Sequence, residues 1–161
     1  MKGFRIFARA SGLALLLLLS VSVVSTAAAA KFHSVTSAVN NGGALAVSFD
    51  QRGLGNGDVT YTLTADASAV YACINRGGQN PSAANKRSFN DDVAGGGTFA
   101  PKNGRVQATL TAGPISAGDF SCPGGQRLVL ASVSYTNIVL TDTTNGVETT
   151  APDVSREFHA V

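Results

Sequence analysis

Beyond residue 30, apolar and polar side chains alternate with a period of two along much of the chain. In DVTYTLTA, Val59, Tyr61 and Leu63 fall on one side and Thr60, Thr62 and Thr64 on the other. RVQATLTA repeats the arrangement, with Val106, Ala108 and Leu110 set against Gln107, Thr109 and Thr111. Successive side chains of a strand point to opposite faces, so each segment predicts a strand with one buried and one wetted face. ALAVSF, SAVYACI, QRLVLASVSY and NIVLTD extend the series, and FHSVTSAV and DVSREFHA supply one strand at each end. No segment holds a helical period over ten residues without a Gly or Pro break. About eight strands with short turns predict an all-β chain folded as an antiparallel sandwich, with a small barrel as the alternative.

Turn chemistry supports the strands. Asn-Gly occurs at 41–42, 56–57, 103–104 and 145–146. Both residue types tolerate the positive φ that tight hairpins need. Three of these pairs lie between predicted strands, and Asn103-Gly104 opens the strand that follows it. Thr, Ser, Val, Ala and Gly are plentiful, and the residues that fill helix surfaces are scarce, which favours β-structure again.

The first thirty residues follow another logic. Lys2, Arg5 and Arg9 precede an apolar run from Leu13 to Val24, and small residues follow, with Ala28 and Ala30 at the positions a signal peptidase reads. This is the layout of a secretory signal peptide. The run is short of the ~20 residues that span a bilayer, so no stable membrane anchor is expected after cleavage. Removing thirty of 161 residues leaves 131, Lys31–Val161, the size of one domain. It also changes the charge. The full chain is +2, but three of its twelve cations leave with the export segment, so nine face ten carboxylates and the remainder is −1. A near-neutral domain with scattered signs offers no footprint for nucleic acid.

Cys73 and Cys122 are the two cysteines, and export places them where paired thiols oxidise, so a Cys73–Cys122 disulfide is expected. The stretch SAVYACI resembles the Tyr-x-Cys strand of immunoglobulin domains, with Ala69, Tyr71 and Cys73 in matching places. That resemblance implies an immunoglobulin-like sandwich with a buried Tyr and Cys on one strand, although in that family the partner cysteine lies upstream. More broadly, the chain is similar to small exported actinobacterial proteins, which implies export and no particular activity. Each cysteine also adjoins a Gly-Gly-Gln, in CINRGGQ and in CPGGQ, and both copies read as turns.

From Asn75 to Gly97 the sequence carries only Phe89 and Val93 as sizeable apolar groups and predicts one long irregular connection. Connections of that length are often working surfaces, so Arg76, Asn80, Lys86, Arg87, Asp91 and Asp92 are the candidate binding residues. Other chemistry is sparse. His33 and His159 stand near the two ends and meet only if the terminal strands run antiparallel beside each other. No catalytic residue, metal ligand set or cofactor is assigned. Trp is absent, and Tyr135 is the one tyrosine left for stacking on a sugar if Tyr61 and Tyr71 face the core.

The sequence therefore reads as a secreted, non-enzymatic binding or surface-associated protein whose partner is an extracellular protein or carbohydrate. A small secreted hydrolase using loop carboxylates is the first alternative. A protein inhibitor presenting the 75–97 loop is the second. The export pattern predicts that protein recovered from culture medium begins KFHSVTS by N-terminal sequencing, whereas Met1 retained in a membrane fraction would refute export.

Overall fold

The computed structural model describes residues 29–79 and 85–161. The charged start, the apolar run and Ala28 of the expected export segment lie outside the described residues, as does Asn80. Eight strands follow in order: β1 (Lys31–Val39), β2 (Leu45–Arg52), β3 (Val59–Ile74), β4 (Lys86–Phe99), β5 (Arg105–Ala112), β6 (Arg127–Asp142), β7 (Val147–Thr150) and β8 (Val154–Glu157). They form two antiparallel sheets packed together, with no closed barrel. The smaller has the order β1-β2-β5. The larger has the order β4-β3-β6-β7, with β8 also paired to β6.

The alternating segments lie as their pattern requires. Tyr61 and Leu63 are fully buried, Val59 nearly so, and the threonines between them are exposed. They face Leu45, Val47 and Phe49 of β2 and Val106 and Leu110 of β5 across the core. Phe49 and Tyr61 pack with ring centroids 4.7 Å apart, and Phe32 and Phe99 close around them edge-on or tilted, an arrangement aromatic quadrupoles favour. Tyr135 is also fully buried and donates to the Gly43 carbonyl oxygen at 2.7 Å. It is therefore a core residue with no face left for a sugar.

One buried polar chain joins the sheets. Tyr61 donates to Gln51 Oε1 at 2.6 Å, and Gln51 Nε2 donates to Asp142 Oδ2 at 2.8 Å. The Asp142 carboxylate also accepts from the backbone N–H groups of Thr144 and Asn145 and from the Asn145 side-chain amide. Four donors compensate a carboxylate that has left water without a cation beside it. A second carboxylate, Asp50, is covered by cations: Arg105 grips it with two bonds, 2.7 and 2.8 Å, and Arg52 adds one at 3.0 Å. The Arg105 guanidinium holds the Asp50 carboxyl well below the usual carboxylate range, desolvation opposes it, and Arg52 assists.

The Asn-Gly pairs divide by role. Asn103 and Gly104 both take positive φ, 53° and 71°, and Lys102 and Arg105 exchange backbone bonds across them, so this pair makes a tight two-residue turn as well as opening β5. Asn56-Gly57 instead lies where the chain passes from the smaller sheet to the larger, and neither residue has positive φ. Asn137, also at positive φ (51°), sits where the β3–β6 register shifts, and its amide donates to Asp66 at 2.6 Å.

The stretch expected to be irregular from Asn75 to Gly97 is corrected by the structure. From Lys86 onward it is strand β4, paired with β3 from Ala72↔Lys86 to Val59↔Phe99. Two features hid it. Its first half has polar residues on both faces, with Phe89 its one large apolar side chain. Its three consecutive glycines read as a loop but mark the place where the two sheets' edges meet: a Cβ at Gly95 would run into the Thr111 carbonyl of β5, and one at Gly97 would crowd Leu110 and Phe99.

The terminal strands do not meet the condition for bringing His33 and His159 together. Ser37 of β1 donates to the Pro152 carbonyl, and two residues on, the Val39 carbonyl accepts from Arg156 at 3.2 Å. Both chains advance in the same sense there, which carries His159 away from His33.

Gly95→Ala is expected to lower stability by about 1–3 kcal/mol, as overpacking does. Gly57→Ala, where a Cβ meets nothing, is expected to stay within about 0.5 kcal/mol. Urea unfolding of the two variants checks this; equal midpoints would show that the sheet edges are not in contact at Gly95.

Candidate functional site at the disulfide-stapled end

Strands β3 and β6 each run 16 residues, twice the length of β2 and β5 at 8, so part of the larger sheet extends past the smaller one. The extension buries residues on both of its faces. On the inner face, the connection 113–126 folds over it and is pinned by a disulfide between Cys73 and Cys122, with Cα atoms 5.5 Å apart. Tyr71, half-buried, donates to the Ile115 carbonyl at 2.6 Å, and Phe89 bridges Tyr71 and Phe120 at 5.8 and 6.5 Å. Arg87 lies over the Phe89 ring at 5.2 Å. On the other face, Ala72, Ile74, Val129 and Ala131 form a second, small buried cluster. The immunoglobulin-like stretch thus supplies a buried cysteine and a tyrosine whose hydroxyl anchors a loop.

The disulfide closes a loop of 49 residues' separation, worth about 4 kcal/mol in the chain-entropy account. Its other consequence is geometric. It brings together the two turns that carry Gly-Gly-Gln. In the first, Asn75 Oδ1 accepts from the backbone N–H groups of Gly77 and Gln79, and Gly78 takes positive φ, 75°. In the second, Gln126 N–H donates to the Pro123 carbonyl at 3.2 Å, and Gly125 takes φ 83°. Asn85 Nδ2 donates to Gln126 Oε1 at 3.0 Å, tying the approach to β4 to the second turn.

Between the two turns lies an open cleft of about 460 Å³ lined by Ile74, Asn75, Arg76, Gly125, Gln126 and Arg127. Arg127 is the register partner of Ile74. The cleft has two guanidinium groups and two amides and no carboxylate in its lining. The described ion pairs are those of Asp50 with Arg52 and Arg105, so Arg76 and Arg127 enter none of them. A larger cleft of about 610 Å³ opens beside Phe99, Lys102 and Arg105, but its guanidinium is already committed to Asp50.

The candidate residues read from the sequence separate accordingly. Arg76 lies in the cleft. Lys86 and Arg87 begin β4 at the same end. Asp91 and Asp92 lie five or six residues on, about 17–20 Å along the strand, and join Asp66 and Asn90 in lining a different, shallow depression. Asn80 is outside the described residues. Arg127 was missed, although the sequence held its signal, a basic residue directly after the second Gly-Gly-Gln. Among the described residues no three His, Cys, Asp or Glu side chains converge as metal ligands, and no helix is long and apolar enough to cross a membrane.

Comparison with protein-family models, curated proteins and solved structures finds no match to this chain. The fold and its stapled end together define a disulfide-linked β-sandwich that presents two arginines from paired turns.

Burial raises the pKa of Tyr61, Tyr71 and Tyr135 above the ordinary phenol value, and the Asp142 charge adds to the rise at Tyr61. Groups raised on folding contribute stability that is complete below the unfolded value, near pH 10, and lost as pH rises above it. Alkaline titration should therefore show tyrosinate absorbance appearing above pH 10 together with cooperative unfolding. Independent titration of all three phenols near pH 10 with the β-spectrum intact would contradict their buried placement.

Proposed function

We propose that this is an exported binding module that recognises a carboxylate-bearing extracellular polysaccharide through the Arg76–Arg127 cleft. The observation behind this reading is the pairing of two guanidinium groups, which enter no ion pair among the described residues, with two side-chain amides in one cleft. Guanidinium forks match carboxylates with two parallel hydrogen bonds, and the side-chain amide N–H groups add donors for a hydroxyl-rich ligand. The lining contains no nucleophile and no group that titrates near neutrality, so the reading is of binding. The disulfide suits an oxidising compartment, and the N-terminal pattern supplies the route there.

The other two readings have less support. The carboxylates Asp91 and Asp92 stand on strand β4 and not on a loop, so the loop pair that the hydrolase reading uses is not formed. An inhibitor reading needs a projecting 75–97 loop, and most of that stretch is paired to β3.

Calorimetric titration of the oxidised protein with hexagalacturonate is expected to show binding that weakens as salt rises. Methyl-esterified hexamer should bind at least tenfold more weakly, and Arg76→Ala with Arg127→Ala should abolish the interaction while the β-spectrum is unchanged. Equal affinity for the acid and the ester, or binding only to polyglutamate, would defeat the proposal.

A further inference from the structure

The free edge of the larger sheet carries a pattern that the cleft does not use. Strand β4 is the terminal strand of that sheet, and β3 is its one strand partner. Its last part, from Gly95, lies against β5. Its first part, Lys86–Asp92, has no strand on the side away from β3 among the described residues, and five of those seven residues are exposed. An open edge of this kind presents a row of backbone donors and acceptors to any strand that can approach.

The side chains on this edge are ordered by charge. The segment reads Lys86-Arg87-Ser88-Phe89-Asn90-Asp91-Asp92, two cations, a short middle and two anions. An antiparallel copy of the same segment, centred on Phe89, is its complement. Lys86 then stands opposite Asp92 of the second copy and Arg87 opposite Asp91 of the second copy. Ser88 faces Asn90, and Phe89 meets its own counterpart. A two-fold axis normal to the sheet requires that opposed residues share a face. The register with β3 satisfies this: Lys86 and Asp92 pair with Ala72 and Asp66 on one face, Arg87 and Asp91 with Tyr71 and Ala67 on the other.

A second observation points the same way. Within one chain Asp92 lies directly opposite Asp66, and like charges placed so are destabilising. No described ion pair includes Lys86, Arg87, Asp91 or Asp92. The two-fold arrangement would bring a lysine from the second copy beside the Asp66–Asp92 pair and leave none of the four charges on the edge unanswered.

We infer that the protein pairs with a second copy of itself through the β4 edge, joining two five-stranded sheets into one continuous sheet. Strand addition of this kind takes its affinity from the backbone ladder, while the charges select the register and reject a copy in the wrong one. The interface is isologous and closes at two, so it does not propagate into fibres. It leaves the Arg76–Arg127 cleft outside the contact and therefore stands or falls independently of the ligand proposed above.

Light scattering after size exclusion on the oxidised protein, from micromolar to millimolar, is expected to show a monomer–dimer equilibrium that shifts towards monomer as salt rises. Lys86→Asp with Arg87→Asp makes every charge on the edge negative, and Asp91→Lys with Asp92→Lys makes every charge positive. Each variant alone should be monomeric across that range. An equimolar mixture of the two should form a one-to-one heterodimer, since every opposed pair is then complementary. The mixture also guards against misfolding, because an unfolded variant cannot restore the contact. A wild-type protein that stays monomeric at millimolar concentration, dimers that persist in both variants, or a mixture that fails to associate would each overturn the inference.

Discussion

The hydrogen-bonded chain from Tyr61 through Gln51 to Asp142 is the constraint on which the sandwich geometry rests. Its members come from β3, β2 and β6, so it is a buried polar link that crosses from the larger sheet to the smaller and back. Hydrophobic packing between two sheets is tolerant of sliding, because apolar contact has little direction. A buried carboxylate with four donors is not tolerant, since moving any donor leaves charge uncompensated in a dry interior. The same carboxylate shapes the β6–β7 hairpin through Thr144 and Asn145. Asp142 thereby couples a turn, a sheet register and the aromatic cluster around Tyr61.

The opposite end of the larger sheet is held by a disulfide, a tyrosine hydroxyl and aromatic contacts. Cys73–Cys122 fixes the 113–126 connection, and the Tyr71 hydroxyl and the Phe89–Phe120 contact hold its course over the sheet. This division has a functional side. The smaller sheet is too short to cover the extension, so that end must be capped by irregular chain, and irregular chain presents backbone turns and charged side chains to solvent. The stapled end is consequently where two arginines stand outside the described ion pairs, while the fully covered end spends Arg105 on Asp50.

Glycine plays opposite parts at two places along one sequence. At Asn103-Gly104 it permits positive φ in a two-residue turn. At Gly95 it has ordinary backbone conformation, and what matters is the missing Cβ, which lets β4 and β5 come together at the seam between sheets. Sequence alone does not separate these uses. A glycine cluster in a polar stretch looks like a connection, although here it closes one side of the sandwich and ends the free edge of β4.

Much of the fold was legible from residue order because its causes are local. Period-two patterning in DVTYTLTA and RVQATLTA, Asn145-Gly146 at a hairpin and the pairing of the two cysteines each need only a few residues or a simple count. Arg76 was legible as a candidate for the same reason, being a cation beside a turn and a cysteine. Strand β4, the burial of Tyr135 and the role of Arg127 were not. Each depends on what lies across a sheet: Thr111 opposite Gly95, the Gly43 carbonyl above Tyr135, Ile74 beside Arg127. The sequence by itself determined which segments must bury one face and where the chain can turn, since those follow from side-chain alternation and φ preference. Only the tertiary structure decided which charges are paired, which edge stays open and which two turns share a cleft, because those depend on distances between residues far apart in the chain.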